Sequence, residues 1–221
     1  IGVGISAQGL EQRFTETAAR LVYQVLMCAV EQVIASHPAA IPILQRFEGV
    51  YLRDSSVIGL PVELAAIWPG VGDSRGPTAA LKLQVEFNFS TGQLGGPILQ
   101  SGRTHDQSSP FEQRRLPGGA LRLEDLGYFR LERLAADDQQ GVYWIMRLKG
   151  GTAVYTVDGQ RLDLVRWLNA QEGTLLDQRV WVGARQRLAC RLLAVRVPPE
   201  AAEQRRRRLR EYARKKQVSL K

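Results

Sequence analysis

Apolar and polar residues alternate most regularly in the segment 81–89, where Leu, Val or Phe occupies every second position. Alternation with a period of two is typical of a β-strand that presents two different faces. The turn-forming segment 90–92 follows, and the segment 95–100 has the composition of a second strand. The pattern therefore predicts a β-hairpin in the middle of the chain.

Other segments of the first 149 residues show either the short apolar pattern of a strand or the period of a helix. Apolar residues recur every three or four positions over 8–35, which predicts an amphipathic, core-packed helix that ends at Pro38 and Pro42. We predict further strands at 47–54, 121–125 and 143–148 and a second helix at 129–138. A short helix is predicted at 61–67, and the segment 101–119 is predicted to be a loop or to contain a short helix near 111–116. The order strand–strand–strand, then strand–helix–strand, indicates an α/β (α+β) fold with a mixed sheet and flanking helices. In such a sheet we expect the first and fourth strands to lie side by side.

The character of the sequence changes after Lys149. Short β-rich segments at 153–157, 179–182 and 186–197 surround a helix at 162–169, and a basic helix is predicted over 200–216. We therefore expect four parts, which are an N-terminal helical segment, the first part of the main domain, a β-rich insertion and the basic helix (1–45, 46–149, 150–198 and 199–221).

Positive charge is concentrated near the end of the sequence. The formal net charge is +8, and residues 196–221 carry +7 of it, with ten Lys or Arg against three Glu. Four successive arginines, Arg205–Arg208, cover most of the helix circumference at 100° per residue, so they do not all face a core. Such a segment is typical of a protein that binds a polyanion. A solvated helix that contacts no DNA is the alternative interpretation.

Several other features of the sequence exclude classes of protein or of site. Neither a membrane-length apolar run nor a signal-peptide pattern is present, so we expect no membrane association. Cys28 and Cys190 lack a nearby second cysteine, which predicts free buried thiols in a reducing compartment. His37 and His105 are too few for a histidine metal site, and the Gly-rich loop 68–77 lacks the ending of a phosphate-binding loop.

Two aspartates are the best candidates for chemistry. Asp54 and Asp125 each follow a short apolar strand, and alternation places each of them on the same face as the apolar residues two and four positions before it. A carboxylate on an apolar face needs a partner. That partner is a divalent metal ion in phosphoryl-transfer enzymes, but a buried arginine or a simple turn-capping role also fits. Glu124 is predicted to face the opposite side.

Several short segments of the sequence resemble the insertion-sequence transposases of the DDE type that carry a β-rich insertion. They occur in the same order as in that family and extend over nearly the whole chain. These segments are DSSVI at 54–58, LP at 60–61, WPG at 68–70, AALKLQ at 79–84, DLGYF at 125–129, YWIMRLK at 143–149 and CRLLAVRVP at 190–198. The resemblance implies a ribonuclease-H-like fold that a β-rich insertion interrupts. It also implies that Asp54 and Asp125 are the first two acids of a catalytic triad that binds Mg²⁺ or Mn²⁺.

The resemblance further implies a function and a set of partners. We expect metal-dependent DNA cleavage and strand transfer at transposon ends, on double-stranded DNA, by a homodimer in the bacterial cytoplasm and associated with the nucleoid. The candidate DNA contacts are basic residues in the segments that resemble the family or in the basic helix: Lys82, Arg147, Lys149, Arg205, Arg206, Arg207, Arg208 and Arg210. Ser55 and Ser56 are candidates for orienting Asp54, with turn capping as the alternative. Trp167 and Trp181 are candidates for core packing, with base stacking as the alternative.

One departure from the family pattern concerns the third acid. The family places a Glu in a Tyr-Arg-Glu-Lys-type helix after the insertion, and Glu200, Glu203 and Glu211 stand in a different context. We therefore expect a fragment shortened at both ends and catalytically inactive alone. A ribonuclease-H-like nuclease and a non-catalytic DNA-binding remnant are the alternatives.

Overall fold

The computed structural model describes residues 4, 6–36, 41–72 and 76–216, and the chain divides into two compact units, residues 1–149 and 150–221. The first unit contains α1 (Ala7–Glu11), α2 (Glu16–Ser36), β1 (Val50–Leu60), β2 (Ala79–Asn88), β3 (Leu94–Ser101), β4 (Leu121–Glu124), α3 (Leu131–Gln139) and β5 (Tyr143–Met146). Short 3-10 turns lie at Pro42–Arg46, Val62–Leu64, Asp106–Ser108, Pro110–Gln113 and Leu126–Tyr128. The predicted helix stop at Pro38, His37 and part of the loop 68–77 lie outside the described residues.

The first unit is built on a five-stranded mixed sheet with the order β3-β2-β1-β4-β5. The first three strands pair antiparallel, whereas β1, β4 and β5 pair parallel. The helix α3 connects β4 to β5, as a parallel connection requires. This is the arrangement of a ribonuclease-H-like sheet, so the predicted fold class and the predicted pairing of the first and fourth strands are both confirmed.

The predicted hairpin is also confirmed, since β2 and β3 pair antiparallel with Lys82 opposite Gln100. The strand β1 is longer than predicted, because it stays paired with β2 as far as Leu60 opposite Ala79. Asp54 consequently lies in the middle of β1 and not at its end. The parallel pairing of β1 with β4, in contrast, stops at Arg53 opposite Glu124.

The buried face of β2 is the polar one. In β2 the polar residues are buried, namely Lys82, Gln84, Glu86 and Asn88, while the apolar residues between them are only half-buried. In β5, Tyr143 and Ile145 are exposed. The polar side is buried because its arginines and carboxylates pair with each other and because the segments around Asp106–Gln113 cover it.

The segment 8–35 forms two helices instead of one. The chain leaves the helical conformation after Glu11, and Thr15 starts α2 by accepting a hydrogen bond at its side-chain oxygen from the Ala18 amide, at 3.2 Å. This local cap competes with a continuous helix. The prediction of core packing is wrong for the described part of the chain, because Phe14, Leu21 and Val25 are exposed.

The core of the first unit lies where the loop before β4 meets the strand β5. Leu116, Ala120 and Val142 form a buried cluster, against which the half-buried Tyr51 packs. Leu134 of α3 is also buried. Gly119 adopts φ +84°, a conformation that glycine tolerates best, and a Cβ there would meet Glu48 at 2.9 Å. This turn directs the chain into β4.

The second unit contains β6 (Val154–Tyr155), α4 (Leu164–Asn169), β7 (Leu175–Val182), β8 (Leu188–Val195) and α5 (Pro199–Lys216). Its three strands form an antiparallel sheet with the order β6-β7-β8. The helix α4 begins at Asp163, whose side chain accepts a hydrogen bond from the Arg166 amide at 3.1 Å. The unit therefore has the β-rich character expected of residues 150–198, followed by the basic helix.

Candidate functional site

The two candidate aspartates lie in one row of the parallel part of the sheet. Arg53 of β1 pairs with Glu124 of β4, and Glu124 pairs in turn with Met146 of β5. Asp54, Asp125 and Arg147 are the next residues on the three strands. The backbone of Asp125 is still extended, with φ −79° and ψ 171°. Because neighbouring strands lie about 5 Å apart, the register places the two aspartates side by side on one face.

The carboxylates in this row are open to solvent. Asp54 is exposed, and its Oδ1 accepts a hydrogen bond from the Ser55 amide at 2.8 Å. The Asp125 side chain is 62% exposed and lies 3.5 Å from the Nη1 atom of Arg147, which is itself exposed. An exposed ion pair of this length contributes little and separates readily. Neither aspartate is thus held by a buried arginine, which was the structural alternative for this pair.

The opposite face of the same two strands carries a buried ion pair. Arg53 and Glu124 point away from the aspartates, and the Nη1 atom of Arg53 lies 3.1 Å from Oε1 of Glu124, with both side chains at most 2% exposed. Arg53 also donates to Glu86 at 2.8 Å and to Glu112 at 2.5 Å. A third bond goes to the carbonyl oxygen of Phe111, at 2.8 Å. Arg53 thereby connects β1 to β2, to β4 and to the 3-10 turn at 110–113.

The network continues from Glu124 into helix α3. Arg122 binds Glu124 at 2.8 Å and Asp137 at 2.7 Å, and all three side chains are buried. Burial lowers the pKa of Arg122, but Glu124 and Asp137 outweigh burial and raise that pKa above its usual value. Arg133 of α3 adds a bond to Asp137 at 3.3 Å and contacts the Glu112 carbonyl. The strand β4 is therefore tied to its neighbours on both sides.

A second polar cluster lies beside Asp54 and includes Lys82. The Lys82 ammonium donates to Asp106 at 2.8 Å and to the Thr104 carbonyl at 2.5 Å, and Asp106 also accepts a bond from the Ser55 hydroxyl at 2.8 Å. Burial alone would raise the pKa of Asp106, but the bonds from Lys82 and Ser55 outweigh it and lower the pKa below 3.8. Lys82 is only 7% exposed. The ammonium is thus paired inside the fold, and the contact of Lys82 with DNA stays a prediction.

The other candidate DNA contacts are at the surface. Lys149 is exposed, and so are the five arginines of α5 that the sequence singled out. Arg210 lies 2.6 Å from Glu203, and two weaker pairs join Arg206 to Glu203 and Arg207 to Glu211 at 3.8 Å. Arg205 and Arg208 form no ion pair with any residue that the structure describes. The helix thus presents several cations to solvent.

The aromatic and sulfur-containing candidates give mixed results. Trp181 is 36% exposed, with its indole nitrogen 3.3 Å from the Val157 carbonyl, and Trp167 is half-buried. Core packing therefore describes Trp167 better than Trp181. Cys28 is exposed and Cys190 half-buried, so the prediction of buried thiols fails for Cys28. No disulfide occurs within the described ranges of the chain.

The donor set suits a hard divalent cation that keeps most of its water. Mg²⁺ commonly binds through one or two carboxylates together with waters and phosphate oxygens, and Asp54 and Asp125 offer two adjacent carboxylates open to solvent. Over residues 4, 6–36, 41–72 and 76–216, no group of three or more His, Cys, Asp or Glu is placed to hold a metal ion. Two acids are therefore what the described structure provides.

Sequence reasoning missed Arg53, Glu124 and Asp106 as parts of the site. A signal for the first two was present, since charged residues occupy alternate positions on three neighbouring strands: Arg53 on β1, Lys82 and Glu86 on β2, and Arg122 and Glu124 on β4. Asp106 lies in a loop and carries no local signal. Its role follows from the contact with Ser55 across 51 residues of sequence.

This sheet, with two acids on adjacent parallel strands, is that of ribonuclease-H-like proteins, and the similar proteins are transposases. The chain is 29% identical, over an alignment of 234 residues, to the transposase for insertion sequence element IS231F of Bacillus thuringiensis subsp. israelensis, covering 97% of this chain and 48% of that protein. It is 28% identical to the IS231B transposase of B. thuringiensis subsp. berliner over 227 residues, which covers 94% of this chain and 47% of that one.

A more distant relative comes from another genus. The transposase for insertion sequence element IS1151 of Clostridium perfringens is 25% identical over 154 residues, which covers 67% of this chain and 32% of that protein. The predicted resemblance to insertion-sequence transposases is confirmed, and the chain spans about half the length of the IS231F and IS231B transposases. No protein-family model matches the chain. Within the described residues, no helix has both the length and the apolar character needed to cross a membrane.

Proposed function

We propose that this chain is part of a DDE-type DNA transposase and that Asp54 and Asp125 are two of its metal-binding acids. The observation that carries the proposal is their register, which sets two solvent-open carboxylates side by side on β1 and β4. The similarity to insertion-sequence transposases over nearly the whole chain supports it. DNA cleavage and strand transfer at transposon ends are the activities that follow, with DNA as the partner and a homodimer as the acting form.

The chemistry assigned to the row follows from its charges. When bound there, Mg²⁺ or Mn²⁺ supplies charge neutralisation and Lewis-acid polarisation at a DNA phosphodiester. Asp54 and Asp125 provide the carboxylate oxygens that hold the ion. Arg147, exposed at the end of the row, would supply a positive charge to a phosphate oxygen of the DNA. These groups act by position and charge, which is the main contribution of a protein to phosphoryl transfer.

The basic helix α5 is assigned to the DNA backbone. Its exposed arginines provide sequence-independent contacts with phosphates, which fix the position of a duplex without reading its bases. Lys149 contributes in the same way near the row of acids. With only two acids in the row among the described residues, we expect this chain to be catalytically inactive alone.

Binding of Mn²⁺, followed by electron paramagnetic resonance, tests the metal assignment on the chain as it is. We expect one weak site that is lost in Asp54→Asn and in Asp125→Asn, while binding of a short DNA duplex stays within about twofold of the unchanged chain, because surface carboxylates do not contact phosphate. Asp158→Asn, at an exposed turn of the second unit, is the matched control. Retention of the Mn²⁺ site in both aspartate variants would contradict the proposal.

A non-catalytic DNA-binding role is the second candidate, and the exposed arginines of α5 are the observation in its favour. It predicts DNA binding without any Mn²⁺ site at Asp54 and Asp125. A nuclease that cuts without joining is separated by supplying a labelled oligonucleotide with a free 3′-hydroxyl together with supercoiled plasmid. A transposase joins the label to the plasmid, whereas a nuclease only nicks it.

A further inference from the structure

We propose that the buried pair Arg53–Glu124 positions the two acids for binding a divalent cation, as an ionic tie between β1 and β4. The inference rests on the proposed function, because it concerns the same carboxylates. Arg53 and Glu124 are the last paired residues of the parallel ladder, and each directly precedes one of the acids. A shift of either residue therefore moves an acid by a comparable amount.

The need for a tie arises from the short contact between the two strands. The parallel pairing of β1 with β4 covers only Val50–Arg53 and Leu121–Glu124. Beyond it stand two carboxylates of like charge, which repel each other whenever no cation lies between them. Repulsion acts just beyond the end of this ladder, where no further backbone hydrogen bonds join β1 to β4, while β1 itself stays paired with β2. The attraction between Arg53 and Glu124 acts at the same ends and in the opposite direction.

Contacts with elements other than β1 and β4 hold both side chains of the pair, so the pair has a fixed position. The Arg53 guanidinium is bound by Glu86 of β2, by Glu112 and by the Phe111 carbonyl. Glu124 receives a second bond from Arg122, which in turn is bound to Asp137 of α3. The tie is therefore anchored in the antiparallel half of the sheet on one side and in the helix α3 on the other.

If the network only stabilised the fold, substitutions in the Arg53–Glu124 pair would affect metal binding no more than substitutions elsewhere in the network. Arg133 belongs to the same network and is 15% exposed, but its contacts are with Asp137, Glu112 and backbone carbonyls, all outside β1 and β4. Substitution of Arg133 therefore weakens the network without releasing the tie. Arg133→Gln is the matched control for Glu124→Gln, which keeps the size of the side chain and removes the charge that faces Arg53.

The experiment compares Mn²⁺ binding by the unchanged chain, Glu124→Gln and Arg133→Gln, at a temperature where circular dichroism shows all three to be folded. We expect Glu124→Gln to bind Mn²⁺ at least about tenfold more weakly, as for other residues that orient metal ligands. Arg133→Gln should keep the affinity of the unchanged chain within about twofold. DNA binding should be equal in all three, since α5 is not altered.

A second variant keeps the test decisive if Glu124→Gln does not fold. Arg53→Lys retains a cation next to Glu86 and Glu112, but a single ammonium cannot also reach Glu124 in the two-pronged manner of a guanidinium. The same tenfold loss is expected. Unchanged Mn²⁺ affinity in a folded Glu124→Gln or Arg53→Lys variant overturns the inference while leaving the proposed function intact. Absence of the Mn²⁺ site in the unchanged chain overturns both.

Discussion

The buried network around Asp137 makes a quantitative prediction about stability. The Asp137 carboxylate is 4% exposed, and it accepts bonds from Arg122 at 2.7 and 3.3 Å and from Arg133 at 3.3 Å. In Asp137→Ala these bonds disappear, and Arg122 keeps only Glu124 as a charged partner. Removing one partner of a buried pair leaves an uncompensated charge, which costs about 3–5 kcal/mol of the free energy of unfolding.

The corresponding change in melting temperature follows from the size of the unit. For a domain of about 150 residues, each kcal/mol lowers the melting temperature by about 2–4 °C, so a loss of about 3–5 kcal/mol in Asp137→Ala is expected to lower it by about 6–20 °C. The assay is thermal and urea unfolding followed by circular dichroism. The two units are expected to unfold separately, so the transition of the first unit is the one to compare.

The control is an ion pair of similar composition at the surface. Asp177 of β7 and Arg191 of β8 form a pair whose side chains are 42% and 67% exposed. Asp177→Ala is expected to leave the melting temperature unchanged, because water replaces the lost partner. Equal effects of Asp137→Ala and Asp177→Ala would refute the reasoning, since burial would then not decide the strength of these pairs. A loss below about 1 kcal/mol in Asp137→Ala would do the same.

Two further predictions concern acid stability and DNA binding. The depressed pKa of Asp106 means that its contribution to stability is present above pH 3.8 and is lost as the pH falls through its lower value in the folded state. Lys82→Met should therefore reduce the free energy of unfolding by about 1.5–3 kcal/mol near pH 7. This difference should shrink below pH 3.8 in urea titrations, and a difference independent of pH would contradict it. The affinity for DNA falls as the salt concentration rises, and replacing Arg205–Arg208 by Gln should make the plot of log affinity against log salt less steep by about 2 or 3. The change is smaller than four because not all four arginines reach one duplex. An unchanged slope would show that α5 does not contact DNA.

Much of the fold was readable from the sequence because it depends on local periodicity. The alternation in 81–89 predicted β2, and the turn at 90–92 predicted its hairpin with β3. The order of strands and helices predicted the mixed sheet with β1 beside β4. The break between α1 and α2 was missed, because the apolar stripe continues through a local cap at Thr15. Periodicity reports which face a side chain occupies but not where a helix stops.

The candidate site was predictable only in part. Asp54 and Asp125 were identified from their position after apolar strands and from the surrounding segments, which resemble the transposase family. Their placement in one row depends on the register of two strands that lie about 70 residues apart, which the register of Arg53 with Glu124 defines. The inward position of the Lys82 ammonium was not predictable for a related reason, because its partner Asp106 lies far away along the chain.

The sequence by itself predicted the strands, their order along the chain and the two candidate acids, since each prediction rests on residues close together along the chain. Only the tertiary structure decided which face of the sheet is buried. An alternating strand has two faces, and hydrophobicity favours burial of the apolar one. Here the charged face is buried instead, because Arg53, Glu86, Arg122 and Glu124 satisfy one another only when the strands, α3 and the loop at 106–113 come together. That balance of desolvation against pairing depends on long-range contacts, which no local pattern encodes.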